Sequence, residues 1–199
     1  EDVRIVRGFP RPLSMMQGID ATFGAAIFIG YHASEMTVDA VRGHTFSSAK
    51  LLGVTLNGTE VSEGLFNAAI AAHYGVPVVF VSGDRKAVEQ MQSGIPGIGG
   101  AIVKEPLGYH SAETVTPARG QAMIRDGVRA ALAWGLAPTI WALLYRIPAA
   151  FWFTPSSAAT VRMRGGNVAF DPGRMADGCG GAVVFGVVGL GVLVWGAYG

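Results

Sequence analysis

Val76-Pro-Val-Val-Phe-Val81 is an unbroken run of apolar, mostly β-branched residues, closed by Ser82-Gly83-Asp84. A run this short, with Gly75 before it and turn formers after it, predicts a strand buried on both faces, as in the interior of a parallel sheet. Pro77 falls near its start, where a missing N–H is tolerated. Upstream, Ser62 reads as the N-cap of a helix with Glu63 in its first turn and a stripe of Leu65, Phe66, Ala69, Ile70 and His73, which Gly75 stops. Before it, Leu52-Gly-Val-Thr-Leu56, Asn57-Gly58 and Thr59-Glu-Val61 spell a hairpin, because Asn-Gly supplies the two positive φ values of a type I′ turn. Ala25-Ala-Ile-Phe-Ile-Gly30 is a further buried-strand run. Downstream, Asp84 to Gln92 reads as a helix and Gly100-Ala-Ile-Val-Lys104 as a third strand. Pro117 to Trp134 reads as a longer helix, with Thr116 as cap, Pro117 at the first helical position, and an apolar stripe of Met123, Ile124, Val128, Ala131 and Leu132. This alternation predicts an α/β fold: a mostly parallel sheet flanked by helices, with one β-hairpin. Ligand-handling groups are then expected at the carboxyl ends of the strands.

The composition divides the chain. Half of its 199 residues are hydrophobic and only 15% are charged, against ~25% in an average domain. The charged residues beyond position 129 are Arg146, Arg162, Arg164, Asp171, Arg174 and Asp177, and there are none from Gly178 to Gly199. The expected organisation is an α/β domain over 1–134 and an apolar C-terminal region over 135–199. Within the latter, 167–170 reads as a strand and Asp171-Pro172 as a helix start. Residues 182–198 fall slightly short of the ~20 residues of a membrane span, so packing is the expected use and membrane contact the alternative. A net charge of +1 gives no support to nucleic-acid binding through a basic face. One cysteine, Cys179, excludes a disulfide framework and a cysteine-cage zinc module. With no basic segment and apolar run at the start, a reducing, cytoplasmic setting is expected.

Four histidines carry the options for chemistry: His32, His44, His73 and His110. His32 follows the strand ending at Gly30, at its carboxyl end, and His44 lies twelve residues on in Gly43-His44-Thr45. Two neutral imidazoles at a strand mouth are what zinc takes as nitrogen ligands. Glu63 is the natural oxygen partner, because the first turn of a helix favours an ionised carboxylate; Glu60, on the hairpin arm, is its competitor. Asn67 shares the helical face of Glu63 and is expected to orient it by a hydrogen bond. His73 near a helix end and His110 in a surface loop have structural readings, and Cys179 has no base beside it. The Gly-rich stretch 94–100 does not open a clear helix, so neither a dinucleotide cradle nor a flavodoxin-like binder gains a phosphate motif.

Several separated motifs occur together: Arg11-Pro-Leu-Ser-Met-Met16, Phe28-Ile-Gly-Tyr-His-Ala33, Gly43-His-Thr45, Leu56-Asn-Gly58, Ser62-Glu63 with Asn67-Ala68, Gly75-Val-Pro77 and Ser82-Gly-Asp84. In order and spacing they resemble the zinc-dependent D-aminopeptidases of the DppA type, over roughly residues 4–132. The resemblance implies an α/β fold, a ring-like homodecamer, two zinc ions per subunit and removal of N-terminal D-amino acids from short peptides. It makes His32 and Glu63 zinc ligands and His44 the catalytic residue. Such enzymes also carry an Asp-x-Glu motif on their first strand and a further histidine ligand, neither of which this sequence contains. Three of five ligands, and the strand that would cover the sheet edge, are thus expected to be missing. Two expectations follow. One is a zinc-dependent aminopeptidase that is incomplete or inactive as this chain alone. The other is a non-catalytic truncated homologue that serves as an assembly or binding module with an apolar tail.

Overall fold

The computed structural model describes residues 4–134, 159–163 and 166–170. After a short 3₁₀ turn at Ser14–Met16 the elements run β1 (Ala26–Tyr31), β2 (Leu51–Leu56), β3 (Thr59–Glu60), α1 (Glu63–His73), β4 (Val78–Asp84), α2 (Arg85–Gly94), β5 (Gly99–Gly108), β6 (Ser111–Thr114), α3 (Pro117–Trp134), β7 (Ala159–Met163) and β8 (Gly166–Phe170). The main sheet has the order β1-β4-β5-β6. Its first three strands are parallel and β6 returns antiparallel. A second, antiparallel sheet has the order β3-β2-β7-β8. The fold is therefore α/β, with a mostly parallel main sheet flanked by helices, as the sequence predicts.

Local chemistry explains the element boundaries. Ser62 accepts the Leu65 N–H on its hydroxyl at 3.2 Å, capping α1, and Asp84 accepts the Ala87 N–H on its carboxylate at 3.0 Å, capping α2. Gly75, at φ +73°, turns the chain out of α1. Asn57 and Gly58 both have positive φ, 50° and 80°, as a type I′ turn demands. β4 is buried along its whole length and runs on through Ser82-Gly83-Asp84. β5 also outruns its sequence signal, extending past Pro106 to Gly108. Its pairing with β4 ends at Lys104, so among the described residues the outer half of β5 pairs with β6 alone, and a residue lacking an N–H is tolerated there. The hairpin β5–β6 and the hairpin β7–β8 join the β2–β3 hairpin that the sequence shows.

Alternation along the strands assigns the two faces. A Cβ at Gly100 would meet Val88 and Gln92 of α2, whereas one at Gly99 would meet Ala131 of α3. The larger core lies on the α1 and α2 side and gathers Phe28, Tyr31, Leu56, Leu65, Phe66, Val81 and Met91. On the other face, α3 sets Met123, Ile124, Val128 and Ala131 against Phe80 and Ala101. Burying a side chain such as Phe80, which is wholly out of solvent, contributes about 1.5–3 kcal/mol. Among the described residues β1 has a strand partner on one side only. The readings made for Asp171-Pro172, Cys179 and 182–198 lie outside the described residues, and no helix within them is long and apolar enough to cross a membrane.

Candidate metal centre

Three elements converge at the carboxyl end of β1. His32 leaves the strand, Glu63 opens α1, and His44 closes the loop between β1 and β2. One ligand atom from each of His32, His44 and Glu63 lies within 4.8 Å of the others. His32 Nε2 stands 3.7 Å from Glu63 Oε2, too far for a hydrogen bond. Two donors each about 2 Å from one zinc, at a tetrahedral angle, stand about 3.4 Å apart. The two imidazoles stack with ring centroids 3.7 Å apart at 16°.

The chain fixes which nitrogen each ring presents. His32 Nδ1 donates to the Ala33 carbonyl at 3.1 Å, and His44 Nδ1 donates to the Arg42 carbonyl at 2.7 Å. Each Nε2 is left with its lone pair free, the tautomer that a metal ligand or proton acceptor needs. The Ala33 carbonyl also accepts the His44 N–H at 3.0 Å, so one peptide group anchors both histidines. Gly43 permits this closure: a Cβ there would come within 2.8 Å of the Ser34 carbonyl oxygen. The same loop holds four non-glycine residues in the left-handed region, namely Met36, Asp39, Arg42 and Phe46. Concentrated backbone strain of this kind marks sites where geometry is imposed by the surroundings.

Glu63 is buried, and its Oε2 accepts the Phe46 N–H at 3.0 Å. A carboxylate at a helix start is stabilised in its charged form by the free N–H groups of the first turn. Burial pulls the His44 pKa below the usual histidine value, and the neighbouring His32 lowers it further; the Arg42 carbonyl, Glu63 and Glu35 act in the opposite direction. Burial likewise raises the Tyr31 hydroxyl pKa, so it remains a phenol. The His32 imidazole and the buried Glu63 carboxylate, with the His44 imidazole stacked beside them, offer nitrogen and oxygen donors of the kind a borderline divalent metal such as zinc takes.

The structure thus brings His32, His44 and Glu63 together. Asn67 departs from the expected arrangement: its amide donates to the Tyr31 hydroxyl at 3.0 Å instead of reaching back to Glu63. Glu60 lies exposed on β3 and belongs to no metal-capable group among the described residues. His73 packs edge-on against Tyr74 at the end of α1, and His110 against Tyr109 in the β5–β6 turn, so neither joins the cluster. Sequence reasoning missed Glu35, a buried acid near His44 in a stretch that reads as loop. It also missed Tyr109, whose carbonyl accepts the Arg42 N–H at 2.8 Å and so braces the His44 loop from the β5–β6 turn. Backbone acceptors of this kind leave no residue-type signal.

Fold and site together define a class: an α/β protein with two imidazoles and one carboxylate gathered at the mouth of a parallel sheet. The sequence matches the D-aminopeptidase family of peptidases over residues 1–161. The chain belongs to that family. It is 31% identical to a D-aminopeptidase of Bacillus subtilis (strain 168) over 131 residues, which are 64% of this chain and 46% of that protein. Its fold is similar to that of the Zn-dependent D-aminopeptidase DppA from Bacillus subtilis, a self-compartmentalizing protease, with a TM-score of 0.70 at 26% identity. That match covers 79% of this chain and 53% of DppA. The chain therefore spans about half the length of the relatives it matches.

Proposed function

We propose that this chain is the zinc-holding part of a D-aminopeptidase-type hydrolase that removes N-terminal D-amino acids from short peptides. His32 and Glu63 are its metal ligands and His44 its catalytic residue. The observation that carries this reading is the 3.7 Å approach of His32 Nε2 to Glu63 Oε2, with each histidine's Nδ1 turned away onto a carbonyl. When bound, zinc supplies Lewis acidity, lowering the pKa of water toward about 7 and polarising a carbonyl. The protein's own part is to hold and move protons and to position the reactants. His44 presents Nε2 to the site with its pKa held down by burial, so at neutral pH it is free to accept a proton and later return it. Its bond to the Arg42 carbonyl keeps the ring in one tautomer and steadies the imidazolium once formed. Glu63 is held in place at the start of α1 by the Phe46 N–H.

The donor count favours an incomplete site. Of the three metal-capable side chains gathered among the described residues, His32 and Glu63 are the two ligands on this reading, below the three protein ligands usual for one catalytic zinc. These residues, on this reading, hold one zinc and hydrolyse peptides poorly unless completed; a non-catalytic homologue acting as a binding module is the limiting case. Assembly with copies of itself belongs to the same proposal, supported by the self-compartmentalizing relative; a cytoplasmic setting is carried with it as the expectation from the sequence. The test is zinc content and affinity of the wild type, His32→Ala, Glu63→Ala and His44→Ala, beside release of D-alanine from a short peptide with a chelator control. His32→Ala and Glu63→Ala should lose zinc. His44→Ala should keep zinc within about tenfold and lose whatever hydrolysis the wild type shows. Unchanged zinc affinity in His32→Ala overturns the ligand assignment, and two tightly held zincs per wild-type chain overturn the incomplete-site reading.

A further inference from the structure

The strand and the helix that carry His32 and Glu63 are tied by one buried hydrogen bond. Tyr31 ends β1 and precedes His32, and Asn67 stands one turn along α1 from Glu63. Asn67 Nδ2 donates to the Tyr31 hydroxyl at 3.0 Å, and both side chains are buried, Asn67 completely. The Tyr31 ring is held from two further directions. It stacks on Phe28 with centroids 4.6 Å apart, and it lies so close to α1 that a Cβ at Gly64 would come within 3.1 Å of its Cδ1.

We propose that the Tyr31–Asn67 hydrogen bond sets the separation of His32 and Glu63, which makes Tyr31 and Asn67 positioning residues for the metal centre. The inference rests on the zinc reading of that centre. A purely packing role explains less. Asn67 is buried with its Oδ1 lacking a hydrogen-bond partner, and a buried amide left partly unsatisfied carries a desolvation cost that an apolar residue would not. That cost falls where a strand residue next to one donor meets a helix residue one turn from the other. Ligand distances are held to about ±0.2 Å, so a small slip of α1 along β1 is enough to spoil the pair. Glu63 is also gripped by the Phe46 N–H, but Phe46 lies on the loop. The Tyr31–Asn67 bond is a side-chain link that runs from β1 itself to α1.

The experiment separates positioning from stability. Tyr31→Phe removes the hydroxyl and keeps the ring; Asn67→Leu removes the amide at similar volume. Each alone strands a buried polar group, whereas the double variant Y31F/N67L removes both partners, a change close to neutral for stability. Three quantities are measured in the full chain: the melting temperature without metal, zinc affinity by competition with a chromophoric chelator, and the His32 ring signals in long-range proton–nitrogen spectra of the metal-free protein. The double variant should melt near the wild type, bind zinc about 10–100-fold more weakly, and show displaced His32 signals. Zinc affinity within about twofold of the wild type, against that 10–100-fold expectation, overturns the proposal. So do His32 signals that do not move. A wild type that binds no zinc defeats the zinc reading, while the His32 signals still decide the positioning role. Should the double variant fail to fold, Tyr31→Phe alone, which keeps the ring packing, carries the same comparison.

Discussion

A Cβ at Gly83 would run into the backbone carbonyl of Tyr31 and stand 3.1 Å from the Cβ of Ala87. Neither neighbour can step aside: one is strand backbone and the other sits in the first turn of α2. Gly83→Ala is therefore expected to lower stability by about 3 kcal/mol, the upper end of the overpacking range. Because Tyr31 must shift with it, zinc affinity should fall as well. Gly64→Ala is the control. Its Cβ would stand 2.7 Å from the flexible Met91 sulfur and 3.1 Å from the Tyr31 ring. Met91 can swing away, and a helical alanine recovers up to about 1 kcal/mol over glycine, so the net loss should be about 1 kcal/mol or less. Urea denaturation of both variants checks the ordering, and equal losses would contradict it. At this scale the candidate site is half legible. His32 and Glu63 can be placed from sequence because a strand end and a helix start are themselves readable. The Phe46 N–H on Glu63 and the Ala33 carbonyl shared by both histidines are not. Each depends on a loop that holds Met36, Asp39, Arg42 and Phe46 in the left-handed region, and of these only Asp39 is of a type enriched there.

Among the elements, α2 owes its start to one residue. Asp84 is fully buried, and its Oδ1 caps the helix through the Ala87 N–H while Oδ2 has no hydrogen-bond partner. Asp84→Ala should cost about 1–2 kcal/mol through the lost cap. Asp84→Asn retains an oxygen for the cap, so it should lose clearly less; a thermal or denaturant midpoint as low as that of the alanine variant would show that the charge matters more than the cap. The first and third helices are legible because their signals are local: Ser62 and Thr116 before periodic apolar stripes, and Gly75 after one. β4 and β5 were legible in place but not in length. β4 runs through Ser82-Gly83-Asp84, which reads as a closing turn, because parallel neighbours on both sides supply the backbone pairing. β5 crosses Pro106 because one of its edges is already free there. Such pairing is a tertiary fact that a single strand's sequence does not carry.

For the whole molecule, the proposed self-association turns on β1. Its outer edge has no strand partner among the described residues. Ile27 pairs in register with Phe80, the residue that α3 covers, yet α3 packs over β4 and β5 and leaves Ile27 38% and Ile29 61% exposed. An edge that combines free N–H and C=O groups with uncovered isoleucines is a template for pairing with another chain, and natural edges are commonly protected by a charge, above all lysine. Ile29→Lys should therefore reduce concentration-dependent association in sedimentation velocity without changing the far-ultraviolet circular dichroism. The metal centre lies at the strand's carboxyl end, on His32 and beyond, so its zinc affinity should stay within about twofold of the wild type, inside the context scatter of a substitution outside the ligand set. If the variant associates as the wild type does, copies meet through another surface, and the β1 edge is covered in some other way. If association falls and zinc affinity falls with it, the edge and the metal centre are one cooperative unit, since whatever pairs with β1 then also holds the end of the strand on which His32 is mounted.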